Sequence, residues 1–232
     1  MLNQHINHNK KIAHLRGMLK SEGMLLALGA LDIAEANHTG FRKDGVTAEI
    51  AHPVAIASYL STLPVSKEDR QALIAIGLLH DVPEDYSVSE KAIVTRLVEV
   101  AGREHEEAAA YIAASAWKLS KFNPQGQKYS TKEYFKRIES DPLLAIAKGA
   151  DGLSNIIDAP SATHKEPDEL WAWVQNYKRY IERYHLPTLK FARQKTEDES
   201  IRLACENVKF CLVTTLGLTE AVINLKKSSA QP

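Results

Sequence analysis

The chain has 232 residues, enough for one large domain or two small ones. Its 29 Lys and Arg balance 29 Asp and Glu, a formal net charge of +0 that excludes broad electrostatic attraction to nucleic acid or to an anionic membrane. Hydrophobic residues at 44% and charged residues at 25% are the proportions of a soluble globular protein, and two cysteines without a Cys-x-x-Cys pair exclude a thiolate zinc site.

Apolar–polar alternation at a period of two is almost absent, and helical spacing runs nearly throughout. Residues 1–19 read as a flexible, polar segment leading into a first helix over 20–36, with no apolar signal core. An irregular stretch over 38–51 holds Gly40 and Gly45. His52-Pro53 opens a helix to about Leu63, with proline early, where its missing N–H does no harm. Ser66 is placed to cap the next helix, which carries the apolar run 72–79 into His80-Asp81. Val82-Pro83-Glu84-Asp85-Tyr86 is expected to turn, because proline stops a helix.

Ser87 or Ser89 then caps a helix over 90–101, and Gly102 separates it from another over 104–119. Asn123-Pro124-Gln125-Gly126 marks a loop over 121–130. A short helix is expected over 134–139. Asp141-Pro142 is an N-cap followed by proline and opens the helix that carries Asp151. A second loop spans 158–167, followed by helices over 169–184, 187–194 and 198–226.

No internal repeat or low-complexity linker divides the chain. The expected architecture is therefore all-α and single-domain, with a core of residues 20–195 and a C-terminal helix with a frayed tail over 196–232. Cys205 and Cys211 lie six apart on one helix and point to different faces, so no disulfide is expected, which fits a reducing cytoplasm. The apolar stretch 211–225 is broken by Glu220 and reads as too short to span a bilayer. The final helix could form a homodimer surface or simply cap the domain.

The chemistry concentrates at four positions. An imidazole next to a carboxylate, at the end of a buried helix, is costly to desolvate unless something offsets the cost, and a divalent cation is the usual answer. His52 and Asp151 sit on other apolar helices, so His52, His80, Asp81 and Asp151 could make one nitrogen/oxygen site. His5, His8, His14, His105, His164 and His185 lie in polar surroundings and read as surface residues. Glu84 and Asp85 follow the pair across the proline. They could orient a water and supply a proton at the mouth of the site, or they could serve only as first-turn acids favouring a helix dipole. Trp171, Trp173, Tyr177, Tyr180 and Tyr184 read as packing residues more than as a base-stacking platform.

Five motifs occur in a recognisable order: His38-x-Gly-x-Arg42-Lys43-x-Gly45, Ile50-x-His52-Pro53, Leu78-Leu79-His80-Asp81-x-x-Glu84-Asp85, Lys118-Leu119-x-Lys121 and Lys148-x-Ala150-Asp151-x-Leu153-x-Asn155. Over roughly residues 20–195 the chain resembles the RelA/SpoT hydrolase domain, the HD-type (p)ppGpp 3′-pyrophosphohydrolase. The resemblance implies an HD-domain helical bundle and a small stand-alone alarmone hydrolase with no room for a synthetase domain. It implies Mn²⁺ on His52, His80, Asp81 and Asp151, with Glu84 and Asp85 activating the attacking water. Arg42 and Lys43 would lie beside the nucleotide and Asn155 near the ribose. Lys121, Lys128, Lys165 and Tyr177 are candidates for the 5′-phosphates. Gly152 and Ser154 depart from the family's Arg and His, and Thr47-Ala48-Glu49-Ile50 replaces its Pro-Tyr-Ile. Another phosphorylated nucleotide, such as an adenosine alarmone or a phosphorylated nucleotide cofactor, is therefore an alternative substrate, and a non-catalytic alarmone sensor is a third reading.

Overall fold

The computed structural model describes residues 2–42, 44–123, 125–159 and 166–229, with side chains for residues 8–42, 44–123, 125–159, 166, 168–225 and 228. The described residues are all-α: α1 (Leu2–Ser21), α2 (Leu25–Asn37), α3 (Ala51–Leu60), α4 (Lys67–Leu79), α5 (Val82–Tyr86), α6 (Glu90–Ala101), α7 (Glu106–Lys118), α8 (Thr131–Ile138), α9 (Pro142–Asp158), α10 (Pro167–Tyr180), α11 (Leu186–Lys195) and α12 (Glu199–Ser229). Extended pairing is limited to two isolated bridges, Phe41 with Ala48 and Phe122 with Lys128.

The caps are where the sequence puts them. Ser66 accepts from the Asp69 N–H at 3.0 Å, and Ser89 accepts from that of Ala92 at 3.2 Å. Asp141 accepts from Leu143 and Leu144 ahead of Pro142; a further capping box, Ser130 with Glu133, starts α8 at 131 instead of the expected 134. Each satisfies first-turn donors that the helix cannot satisfy itself and contributes about 1 kcal/mol.

Four expectations about the helices and their boundaries need correction. The segment 1–19 is not loose: residues 2–21 form α1, whose Leu15 and Leu19 are buried in the core. The helix expected over 20–36 is broken at Glu22–Met24, because Gly23 takes φ 64°, a left-handed conformation that suits glycine. Residues 82–86 are a short helix rather than a turn. Pro83 ends α4 and then starts α5 from a first-turn position, so it both breaks and begins. Finally, 169–184 and 187–194 are not separate, since α10 passes through a π-helical turn (Ile181–His185) directly into α11.

α4 is the centre of the bundle and packs on α2, α3, α7 and α9. All of its residues from Leu73 to Leu79 are buried. Gly77 allows the approach of α3, because a Cβ there would lie 2.7 Å from Leu60 and 3.0 Å from Ile56. Gly149 does the same for α9 against α12, where a Cβ would meet Val208 at 2.5 Å. α12 packs on α9, α10 and α11 through Ile201, Ala204, Val208, Leu212, Leu216 and Ile223. It also corrects the length estimate for the late apolar stretch. Glu199–Leu225 is 27 residues with a mean hydropathy of 1.4 in its most apolar window, which by length and composition alone is enough to cross a membrane. Cys205 and Cys211 are both free thiols.

Candidate metal centre

Three helices converge on one polar cluster inside this apolar frame. α3 presents His52 from its first turn, α4 ends in His80 with Asp81 at the junction to α5, and α9 presents Asp151 midway along its length. Ligand atoms of His52, His80 and Asp81 lie within 4.8 Å of one another, a set able to hold a metal ion. Asp151 Oδ1 lies 3.2 Å from His52 Nε2 and 3.8 Å from His80 Nε2. All four residues proposed as ligands are thus brought together.

The hydrogen bonding fits a cation. His80 Nδ1 lies 2.9 Å from the Gly77 carbonyl, which can only accept, so Nδ1 carries a proton. Its Nε2 is buried and faces two carboxylates, Asp81 Oδ2 at 2.8 Å and Asp151 Oδ1 at 3.8 Å. With Nδ1 committed to the Gly77 carbonyl, Nε2 is the ring atom that faces the carboxylates, and a cation that displaced its proton would find a nitrogen and carboxylate oxygens side by side. A spacing of about 3 Å is that of neighbouring donors around a small divalent ion.

The surrounding charges hold the carboxylates ionised. Burial alone would raise Asp81 and Asp151, but His80 holds Asp81 below its ordinary value and Lys148 holds Asp151 well below it. For His80, burial acts downward, and the Asp81 carboxylate overrides it and pushes the imidazole up to about 9.

Several neighbours orient the cluster. Lys148 Nζ donates to Asp151 Oδ2 at 2.6 Å, and Asn155 Nδ2 donates to Oδ1 at 2.9 Å. Ser154 Oγ lies 3.1 Å from His52 Nδ1 and fixes that ring. In the sequence Ser154 is marked only by its departure from the family's His. Its position three residues after Asp151, on the same face of a helix, is the signal that could have marked it. Tyr177 is half-buried, and its phenol is pushed up by burial and by the Asp151 charge, with Asn155 within hydrogen-bond reach.

Glu84 and Lys121 meet each other. Glu84 accepts from the Lys121 backbone N–H at 2.8 Å and from its Nζ at 3.2 Å, tying α5 to the loop after α7. Asp85 is exposed, and its carboxyl is raised by burial and by the charges of Asp81 and Glu84. Arg42 Nη1 donates to Asp158 Oδ2 at 2.5 Å and links the 38–50 stretch to the end of α9. Lys128 is exposed on the loop it shares with Lys121. Lys43, His164 and Lys165 lie outside the described residues.

His185 corrects the reading of it as a surface residue. It is 2% exposed, and both ring nitrogens lack partners. Phe135 and Tyr180 meet its ring edge to face. Burial, and then the Lys148 charge, lower it to about 3, so it is neutral. A Cβ on Gly152 would lie 2.8 Å from its Cε1. The ring therefore occupies the space that a side chain at 152 would need, which gives a steric reason for glycine immediately after Asp151.

No family model matches the chain, and no solved structure matches it. A probable guanosine-3′,5′-bis(diphosphate) 3′-pyrophosphohydrolase of Synechocystis sp. is 32% identical to it over 123 residues, 51% of this chain. The chain spans about 15% of that protein's length. This chain is thus similar over half its length to a protein named for hydrolysis of a guanosine alarmone.

Proposed function

We propose that the chain is a metal-dependent hydrolase of phosphorylated nucleotides, acting on guanosine 3′-diphosphates to release GDP or GTP and pyrophosphate. The observation that carries this reading is the convergence of His52, His80 and Asp81 within 4.8 Å of one another beside Asp151, with two carboxylates at the rim. The similarity to the Synechocystis protein supports the substrate class. His52, His80, Asp81 and Asp151 would hold the ion, and their nitrogen/oxygen donor set suits Mn²⁺. A divalent cation held there would supply Lewis acidity toward a phosphoryl oxygen and make a water more acidic.

The remaining roles belong to side chains of the rim. Water adds to the phosphorus bonded to the ribose 3′-oxygen, the P–O3′ bond breaks, and a proton must leave the water and reach that oxygen. Asp85, exposed and with a raised carboxyl, would take and return that proton. Glu84 holds Lys121 at the rim, where the ammonium meets phosphate. Arg42 spends one donor on Asp158 and keeps the rest of its fork for phosphate or base. Asn155 and Tyr177 border the ribose side. Gly152 and Ser154, with His185 filling the space over Gly152, favour a second reading in which another phosphorylated nucleotide is the substrate.

The test is product analysis by mass with Mn²⁺ and a panel of guanine and adenine 3′-diphosphates. Pyrophosphate release from ppGpp is the expected result. No release from protein shown by calorimetry to bind Mn²⁺ overturns the guanosine assignment, and turnover of an adenine counterpart alone establishes the second reading.

A further inference from the structure

We propose that two copies of this chain associate through the outer face of α12, antiparallel and centred between Val213 and Thr214. Ten large hydrophobic residues are exposed in the described structure, and six of them lie on this helix: Leu203, Phe210, Val213, Leu218, Val222 and Leu225. Leu203, Phe210, Leu218 and Leu225 share one stripe with Asn207, Thr214, Gly217 and Ala221, and no charged residue interrupts it. The stripe runs about 33 Å along the helix. A contiguous apolar surface of this kind on a folded domain marks an interaction site.

Three observations favour a second copy. The exposed parts of the four stripe residues amount to roughly 500 Å², and Val213 and Val222 on its two edges bring the apolar surface to roughly 700 Å², close to the ~800 Å² that each partner contributes to a standard interface. The stripe also complements itself. Phe210 and Gly217 lie seven residues apart on one line of the helix, at nearly equal distances from Thr214. Pairing about a two-fold axis between Val213 and Thr214 therefore seats each Phe210 over Gly217 of the partner subunit, twice. At Gly217 nothing lies within 4 Å of where a Cβ would be, so the notch is open. Lastly, the flanks carry mixed charges already paired within the chain, Glu206 with Arg193 and Glu220 with Lys178. An anionic lipid surface would call for a basic rim. The opposite face of α12 is in the core, which keeps the helix from spanning a bilayer while the fold is intact.

Sedimentation velocity of the full chain at about 1 to 200 μM, with and without Mn²⁺, tests this. The expected result is a reversible dimer with a micromolar dissociation constant. Gly217→Leu fills the notch yet keeps the face apolar, and it should weaken the dimer at least tenfold. Phe210→Glu should leave a monomer with unchanged nucleotide turnover. Thr214→Cys in a Cys211→Ser background should cross-link to itself on mild oxidation. A monomer at 200 μM overturns the proposal, as does association that Gly217→Leu leaves unchanged. Flotation of the monomeric chain with anionic vesicles overturns it in favour of a membrane surface.

Discussion

Two buried histidines in this bundle stand in opposite electrostatic settings. His80 and His185 are 5% and 2% exposed, so each has lost nearly all of its hydration. His80 faces the carboxylates of Asp81 and Asp151 and is pushed up to about 9. His185 faces Phe135, Tyr180 and the Lys148 ammonium and is pushed down to about 3. Burial acts in the same direction on both, so the neighbours decide the outcome. Anions around an imidazole make a site that wants a cation, whereas rings and a like charge make a neutral packing residue.

The sharpest way to break that contrast is to remove the anionic side. His80→Ala or Asp81→Ala should abolish Mn²⁺ binding in calorimetry and lower nucleotide turnover by about a thousandfold or more, since each deletes a ligand. Asp85→Asn should lower kcat by about a hundredfold with Mn²⁺ affinity unchanged, within the range for loss of a general acid–base. Glu84→Gln should cost less in kcat and more in KM, because Glu84 positions Lys121. Loss of Mn²⁺ in either rim variant would make that residue a ligand and overturn its assignment.

Smaller effects test the supporting shell and the neutral side. Ser154→Ala, which frees the His52 ring, should weaken Mn²⁺ binding about tenfold, as loss of an orienting partner does. Gly152→Ala should destabilise the fold by about 1–3 kcal/mol in urea unfolding, through collision with the His185 ring. For His185 the sign is fixed by its lowered value. The unfolded chain binds a proton near pH 6.5 and the folded chain only near 3, so stability is complete above 6.5 and falls as pH drops between the two. The slope for one proton is about 1.4 kcal/mol per pH unit. His185→Leu should remove that part of the acid sensitivity, read as the difference in urea midpoints at pH 4.5 and 7.

Much of this was legible in the sequence because it depends on local rules. The all-helical class follows from spacing. Ser66, Ser89 and Asp141 announce helix starts because a side-chain oxygen next to an apolar-periodic run has first-turn donors to satisfy. His80-Asp81 stands out because two polar groups end an otherwise apolar helix. The misreadings were also local. Gly23, whose left-handed backbone divides α1 from α2, lies inside the helix expected over 20–36, and Pro83 reads as a stop although it sits in the first turn of α5. A residue that can end one helix and begin the next gives the same letter for both.

What the sequence determined by itself is the set of helices and the residue types available for chemistry: two imidazoles and two carboxylates on apolar segments, and paired acids after a proline. Only the tertiary structure decided which of these meet. It brought His52 and Asp151 together from 99 positions apart, gave Glu84 to Lys121, bound Arg42 to Asp158 and buried His185 over Gly152. Helix formation is governed by neighbours within a turn, whereas hydration, protonation and ligand geometry are set by atoms that approach through space.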